Sequence, residues 1–101
     1  MPLEWKSDTL KRAFSLEEGG AKLAFVEIKE TKAPSNKFRV KSGVSFMYYG
    51  ERRQNRLERS KKQWVVTTRK FADRETADRY AQTKQRELEA FVRKREAELN
   101  A

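Results

Sequence analysis

Two segments of the chain alternate between apolar and polar residues, as half-buried strands do. Residues 22–30 read KLAFVEIKE and divide into an apolar face and a mixed face, namely Ala24, Val26 and Ile28 against Phe25, Glu27 and Lys29. Residues 63–71 read QWVVTTRKF and are rich in β-branched and aromatic residues, which favour strands. Because Trp64 stands beside two valines, we expect its ring to lie in the core.

The residues between these two strands contain turn signals. Pro34 and Asn36 in TKAPSN predict a turn. Residues 37–41 alternate again and predict a strand, with Phe38 and Val40 on one face. Ser42-Gly43 is short enough for a two-residue hairpin, which would lead into a further strand over residues 44–49. Either face of that further strand can turn towards the core.

The pattern of residues 1–20 fits two structures. In the first, Ser7 or Asp8 caps a helix that ends before Gly19. In the second, which we favour, the segment is a hairpin strand, and Glu17-Glu18-Gly19-Gly20 makes a tight turn into the next strand. The hairpin would turn three apolar residues inward, namely Leu10, Phe14 and Leu16. Leu3 and Trp5 form a terminal arm that we expect to pack on the domain.

Residues 73–99 predict one long amphipathic helix. Asp73 is the expected N-cap, and apolar residues then recur at steps of three and four. A helix of this length spans about 39 Å, whereas a strand of five to seven residues covers only about 17–23 Å. The C-terminal half should therefore overhang the sheet. We expect Phe91, Val92 and Leu99 to contact another surface, which is the N-terminal arm, a second copy in a homodimer, or a different protein.

These elements predict an α+β fold, an antiparallel sheet of four to five strands packed by one long C-terminal helix. With 101 residues the chain should form a single domain, 1–101. Its parts are an N-terminal arm or hairpin strand (1–20), the sheet (22–71, with a basic loop at 51–62) and the C-terminal helix (73–99). Apolar residues make up 37% and charged residues 39%, so the core should be thin, with the sheet covered on one side.

The chain has no Cys and no His. This composition excludes disulfides, thiolate or imidazole metal sites, cysteine nucleophiles and His-dependent triads. Glu51 and Glu58 each stand among arginines and are better explained as ion-pair partners than as catalytic carboxylates. We expect no enzyme activity, no catalytic residues, no cofactor and no metal. No apolar run approaches the roughly 20 residues that span a bilayer, so we expect no membrane association and a cytoplasmic or nucleoid location.

Positive charge is concentrated in residues 37–70. This stretch holds eleven Lys or Arg against two acids, a local charge of +9 that equals the formal charge of the whole chain. Localised cations beside aromatic rings are typical of surfaces that bind DNA or RNA. The predicted phosphate-contacting cations are Lys37, Arg39, Lys41, Arg52, Arg53, Arg56, Arg59, Lys61, Lys62, Arg69 and Lys70, with Tyr49 as a stacking ring. Alternation puts Arg69 on a face with apolar residues, as expected at an edge or ligand-facing position.

Several short motifs follow one another in a recognisable order. They are Ser35-Asn36-Lys37-Phe38-Arg39-Val40, Gly43-Val44, Tyr48-Tyr49-Gly50-Glu51-Arg52, Lys70-Phe71 and Ala77 within the helix. This order resembles WGR domains, which pair a Lys-Phe strand with a Trp-Gly-Arg strand end and a helix and are associated with nucleic-acid-binding proteins. The central motif differs, because Tyr49-Gly50-Glu51 stands in place of Trp-Gly-Arg.

Two further similarities point to the same class of partner. Residues 63–82, QWVVTTRKFADRETADRYAQ, resemble the last strand and helix of the arm-binding domains of tyrosine recombinases. The repeated strands followed by one helix are similar to PUR-type single-strand binders. All three resemblances imply nucleic-acid contact through a sheet surface.

Two functions are consistent with these features. The first is a small non-catalytic module that binds DNA or RNA through a sheet face and the basic loop 51–62. The second is a protein–protein adaptor or inhibitor, of the kind found among phage or mobile-element accessory proteins. An adaptor would dock its basic loop and C-terminal helix on an acidic or hydrophobic partner surface.

Overall fold

The computed structural model describes residues 3–10, 12–45 and 64–99. They form one sheet and one helix, with the bounds β1 Glu4–Ser7, β2 Ala13–Glu18, β3 Ala21–Glu30, β4 Phe38–Ser45, β5 Trp64–Phe71 and α1 Arg74–Leu99. The five strands follow one another in the order β1-β2-β3-β4-β5, and every neighbouring pair is antiparallel. The α+β prediction of an antiparallel sheet packed by a long C-terminal helix is confirmed.

Strands β1 and β2 form a hairpin, so the alternative helix over this segment is wrong. In the turn that joins β1 to β2, a carboxylate oxygen of Asp8 accepts hydrogen bonds from the backbone N–H groups of Arg12 and Ala13 at 2.8 and 3.3 Å. Leu10 lies in this turn and is 61% exposed, so the prediction that it points inward is wrong. The turn from β2 to β3 is confirmed, since Gly19 and Gly20 have positive φ angles of 59° and 85° that suit glycine.

Strand β4 runs without interruption through Ser42 and Gly43, so the predicted hairpin at these two residues is wrong. Gly43 is paired with Phe25 on β3 and with Val66 on β5. A Cβ atom at Gly43 would stand 2.5 Å from Cε1 of Phe25, well inside contact distance. The position therefore suits glycine because a neighbouring ring occupies the side-chain space, and not because the chain turns there.

Helix α1 covers one face of the sheet. Towards its N-terminus, Ala77 and Ala81 are buried against Val26 and Val40. Small alanines let the helix approach the strands closely, because the distance between packed elements depends on the side chains between them. At this interface β2, β3 and β4 supply alternate residues, as the pattern of the sequence predicts.

The C-terminal half of α1 is also covered by the sheet. Val92 is completely buried and packs with Leu16, Leu23 and Val44, so the predicted overhang is wrong. The reason is the length of β3, whose ten residues extend about 33 Å and nearly match the helix. Leu3 and Trp5 pack against the same cluster, so the N-terminal arm is one of the surfaces that cover this half of the helix, as one of the predicted alternatives had it. Phe91 is half-buried against the same cluster. The side chain of Leu99 lies outside the described residues.

Asp73 caps α1, as predicted. Its carboxylate accepts hydrogen bonds from the backbone N–H of Thr76 at 2.9 Å and from the Thr76 hydroxyl at 2.9 and 2.8 Å. The backbone N–H bond and then the hydroxyl bond hold the pKa of Asp73 below its ordinary value of 3.8. The charged carboxylate therefore stabilises the start of the helix.

Two leucines provide a matched test of the core. Leu16 is fully buried and Leu10 is 61% exposed. We expect Leu16→Ala to lower the free energy of unfolding by about 2–5 kcal/mol, because it removes buried methyl groups and leaves a cavity. Leu10→Ala should change it by no more than about 0.5 kcal/mol. Chemical denaturation measures both values, and equal losses would contradict this account of the core.

The cap at Asp73 should make stability depend on pH in the acid range. Because the folded pKa is lowered, the carboxylate contribution is fully present above 3.8 and is lost as the pH falls through the lowered value. Asp73→Asn keeps an acceptor for Thr76 but no charge. The melting temperature of the natural protein should therefore exceed that of Asp73→Asn at neutral pH, and the difference should be smaller at a pH well below 3.8. Thermal unfolding at both pH values checks this. A difference in melting temperature that does not change with pH would show that the charge of the Asp73 carboxylate does not stabilise the helix.

Candidate nucleic-acid interface

The β3–β5 part of the sheet face turned away from α1 is called the open face. Strands β3, β4 and β5 each contribute alternate residues to it, and these residues include Phe25, Glu27, Lys29, Arg39, Lys41, Gly43, Ser45, Trp64, Val66, Thr68 and Lys70. The register aligns Lys29, Arg39 and Lys70 as one row across the three strands. Neighbouring strands are about 4.8 Å apart, so the backbone positions of these three cations lie close together.

The open face carries a net positive charge, although Glu27 lies opposite Lys41 in the strand register. Its four cations and one acid, Glu27, give a net charge of +3. Within the described parts of the chain, none of the four cations has an acidic group within 4.0 Å. On β1 and β2 and their turn, by contrast, Lys6 lies 4.0 Å from Glu17. Among the described residues, the cations of this sheet face that have no acid within 4.0 Å therefore lie on β3, β4 and β5.

Arg39 stands at the centre of the row. Its side chain is half-buried, and its Nε atom is buried without a hydrogen-bond partner. Both register neighbours, Lys29 and Lys70, carry the same sign of charge. Like charges directly opposite one another destabilise a sheet, and a buried guanidinium N–H without an acceptor costs further free energy. An anionic ligand would relieve both costs.

The structure separates two cations that sequence reasoning had grouped. Arg69 and Lys70 are adjacent, but Arg69 points to the helix side of β5, where its guanidinium carbon lies 5.4 Å from the Tyr80 ring centroid and 6.0 Å from that of Phe71. Arg69 thus packs over aromatic rings on the other face, and it does not extend the track of Arg39, Lys41 and Lys70. Arg69 is exposed, and its contact with phosphate stays a prediction.

The remaining predicted residues divide into two groups. Lys37 is exposed and directly precedes β4. The others, Tyr49, Arg52, Arg53, Arg56, Arg59, Lys61 and Lys62, lie outside the described residues. Their segment leaves β4 after Ser45 and enters β5 at Trp64, and these two residues are register partners on the sheet.

Sequence analysis did not predict three features of the open face, which are the position of Trp64, its contact with Phe25 and the contribution of Lys29. Trp64 is half-buried on this face and not in the core under α1, so the core assignment was wrong. Its ring meets that of Phe25 at a centroid distance of 5.4 Å and an interplanar angle of 77°. Lys29 completes the cationic row. The alternation of residues 22–30 held the signal, since it already placed Phe25 and Lys29 opposite the apolar face.

Metal-binding groups and membrane-spanning helices can be looked for directly in the described residues. In the described residues, no group of three or more Asp or Glu side chains is arranged to hold a metal ion. No helix of the described chain is both long enough and apolar enough to span a membrane.

Comparison with protein-family models, with curated proteins and with solved structures finds no match. The resemblance to WGR domains stays a prediction.

The cationic row should cost the protein stability. We expect Lys70→Gln to raise the free energy of unfolding by about 0.2–1 kcal/mol at low ionic strength, because it removes one like-charge neighbour of Arg39. The gain should shrink when salt is added. Lys6→Gln is the matched control on the same side of the sheet, and it should bring no gain because Lys6 faces Glu17. Denaturant titrations at low and high salt measure the free energy of unfolding of both variants. Equal effects of the two substitutions would contradict like-charge repulsion across the row.

Proposed function

We propose that the protein is a small, non-catalytic module that binds DNA or RNA through the open face. One observation carries the proposal: the row of Lys29, Arg39 and Lys70, which is exposed at both ends and unpaired among the described residues. Surfaces of this kind bind polyanions because each phosphate contact releases a counterion from the nucleic acid.

The position of Lys41 supports the same proposal. It lies one row from Arg39 on β4, about 7 Å along the strand, so the four cations cover a patch and not a single line. A patch can contact successive phosphates of one strand, whereas a compact carboxylate ligand would need only one or two cations. The half-buried Arg39 at its centre can give directed hydrogen bonds, and the exposed lysines add charge.

The basic segment 51–62 adds further positive charge, and along the chain it lies between two strands of the open face. It holds six cations and two acids between the ends of β4 and β5. Arg52, Arg53, Arg56 and Arg59 are proposed as phosphate contacts that add affinity without sequence preference.

The adaptor hypothesis receives less support. It depended on an unsatisfied apolar surface at the C-terminal half of α1, and Val92 is fully buried there. The remaining basic surface suits an acidic protein less well than a nucleic acid, since the cations are accompanied by the rings of Phe25 and Trp64.

Binding to generic oligonucleotides at increasing salt tests the proposal. If about six phosphates are contacted, the log–log slope of affinity against salt should be about −4 for single strands or about −5 for duplex. Changing Lys29, Arg39, Lys41 and Lys70 together to Gln should weaken binding and reduce the slope by about 3. Fluorescence anisotropy at several salt concentrations gives both quantities.

Four exposed cations of α1 provide a control of equal charge. They are Arg74, Arg79, Arg86 and Lys94, and changing them to Gln removes the same net charge from the opposite side of the molecule. This variant should keep most of the affinity. Equal losses in the two variants would show that net charge alone attracts the nucleic acid, and an affinity independent of salt would rule out the proposed function.

A further inference from the structure

The rings of Phe25 and Trp64 form an aromatic pair on the open face. Their centroids are 5.4 Å apart with an interplanar angle of 77°, and both side chains are half-buried. The fully buried core of the described chain lies on the other side of the sheet, under α1. The pair therefore leaves part of its apolar surface exposed on the open face.

Gly43 allows Phe25 to lie across the neighbouring strand. A Cβ on Gly43 would be 2.5 Å from Cε1 and 2.8 Å from Cζ of that ring, so any larger residue would displace it. Glycine within a strand lowers stability, and it is found where another group must approach the backbone closely. Here the approaching group is the ring, which the absence of a side chain brings over β4 towards Trp64.

The aromatic pair lies beside the cations at a regular spacing. Along β4, Lys41 is two residues and Arg39 four residues from Gly43, which corresponds to about 7 and 13 Å. A ligand that follows this strand would meet rings first and cations next. Single-stranded nucleic acid has this combination, because its unpaired bases expose flat faces and its phosphates carry charge.

We infer that the open face binds single-stranded nucleic acid, with a base stacked on the Phe25–Trp64 pair and the adjoining phosphates on Lys41 and Arg39. This inference rests on the proposed function and adds the strandedness of the ligand. Bases within a duplex are stacked on one another and cannot reach the rings, so duplex binding uses the phosphate contacts alone. The rings do not select a sugar, so DNA and RNA strands both fit.

A comparison of a thymidine oligonucleotide with an abasic oligonucleotide of the same length isolates the contribution of the bases. Phe25→Leu should weaken binding of the thymidine strand by about 5- to 150-fold, and it should leave binding of the abasic strand and of duplex unchanged. Phe25→Tyr keeps a ring and should restore the affinity. Val66→Ala is the matched control, because Val66 is an apolar residue of the open face, 41% exposed, and offers no ring.

Fluorescence of the two tryptophans gives a second, independent measurement. Trp5 lies on the helix side of the sheet, where its Nε1–H donates to Glu89 at 2.9 Å, whereas Trp64 lies on the open face. In Trp5→Phe the remaining Trp64 emission should be quenched by the thymidine strand and not by the abasic strand. In Trp64→Phe the remaining Trp5 emission should not respond to either strand. A uridine strand should quench Trp64 as the thymidine strand does.

The outcomes separate this inference from the proposed function. If Phe25→Leu leaves the thymidine strand equally well bound, or weakens the thymidine and abasic strands by the same factor, the rings serve only the sheet and the inference is wrong. Salt-dependent binding that is lost in the open-face cation variant would then still support the proposed function. If the natural protein binds no oligonucleotide at low salt, the proposed function itself fails.

Discussion

The packing of one helix on one face of the sheet is the constraint on which the rest of the structure depends. Ala77 and Ala81 bring α1 close to Val26 and Val40, and Val92 extends the contact to the other end of the strands. A chain that is 37% apolar has little material for a second layer. The face turned away from α1 is therefore free to carry residues that a core would not accept.

Several features of that open face lower stability when considered alone. Three cations align across neighbouring strands, the Nε atom of Arg39 is buried without a partner, and Gly43 interrupts the side chains of a central strand. Local rules are broken most often where a protein binds something. Here the departures lie on one surface. A bound polyanion would offset the like charges and give the Arg39 Nε atom an acceptor, whereas the space left by Gly43 is already filled by the Phe25 ring.

The reliable predictions from the sequence depended on local signals. The helix was expected at 73–99 and lies at Arg74–Leu99, because its cap and apolar stripe are encoded by residues close together in the chain. The turn at Gly19-Gly20 likewise depends on φ angles that glycine adopts readily. The concentration of cations was also evident, but alternation alone could not show that Lys29 on β3 would align with Arg39 and Lys70.

The sequence by itself determined the type of most elements, the length of β3, β5 and the helix, and the sign of the charge on the middle of the chain. Only the tertiary structure decided which residues meet. Gly43 resembled a turn until the Phe25 ring was found in its side-chain space, and Val92 resembled a contact for a partner until β3 proved long enough to cover it. Strand register and helix placement bring together residues distant in sequence, and short-range periodicity contains no information about such pairs.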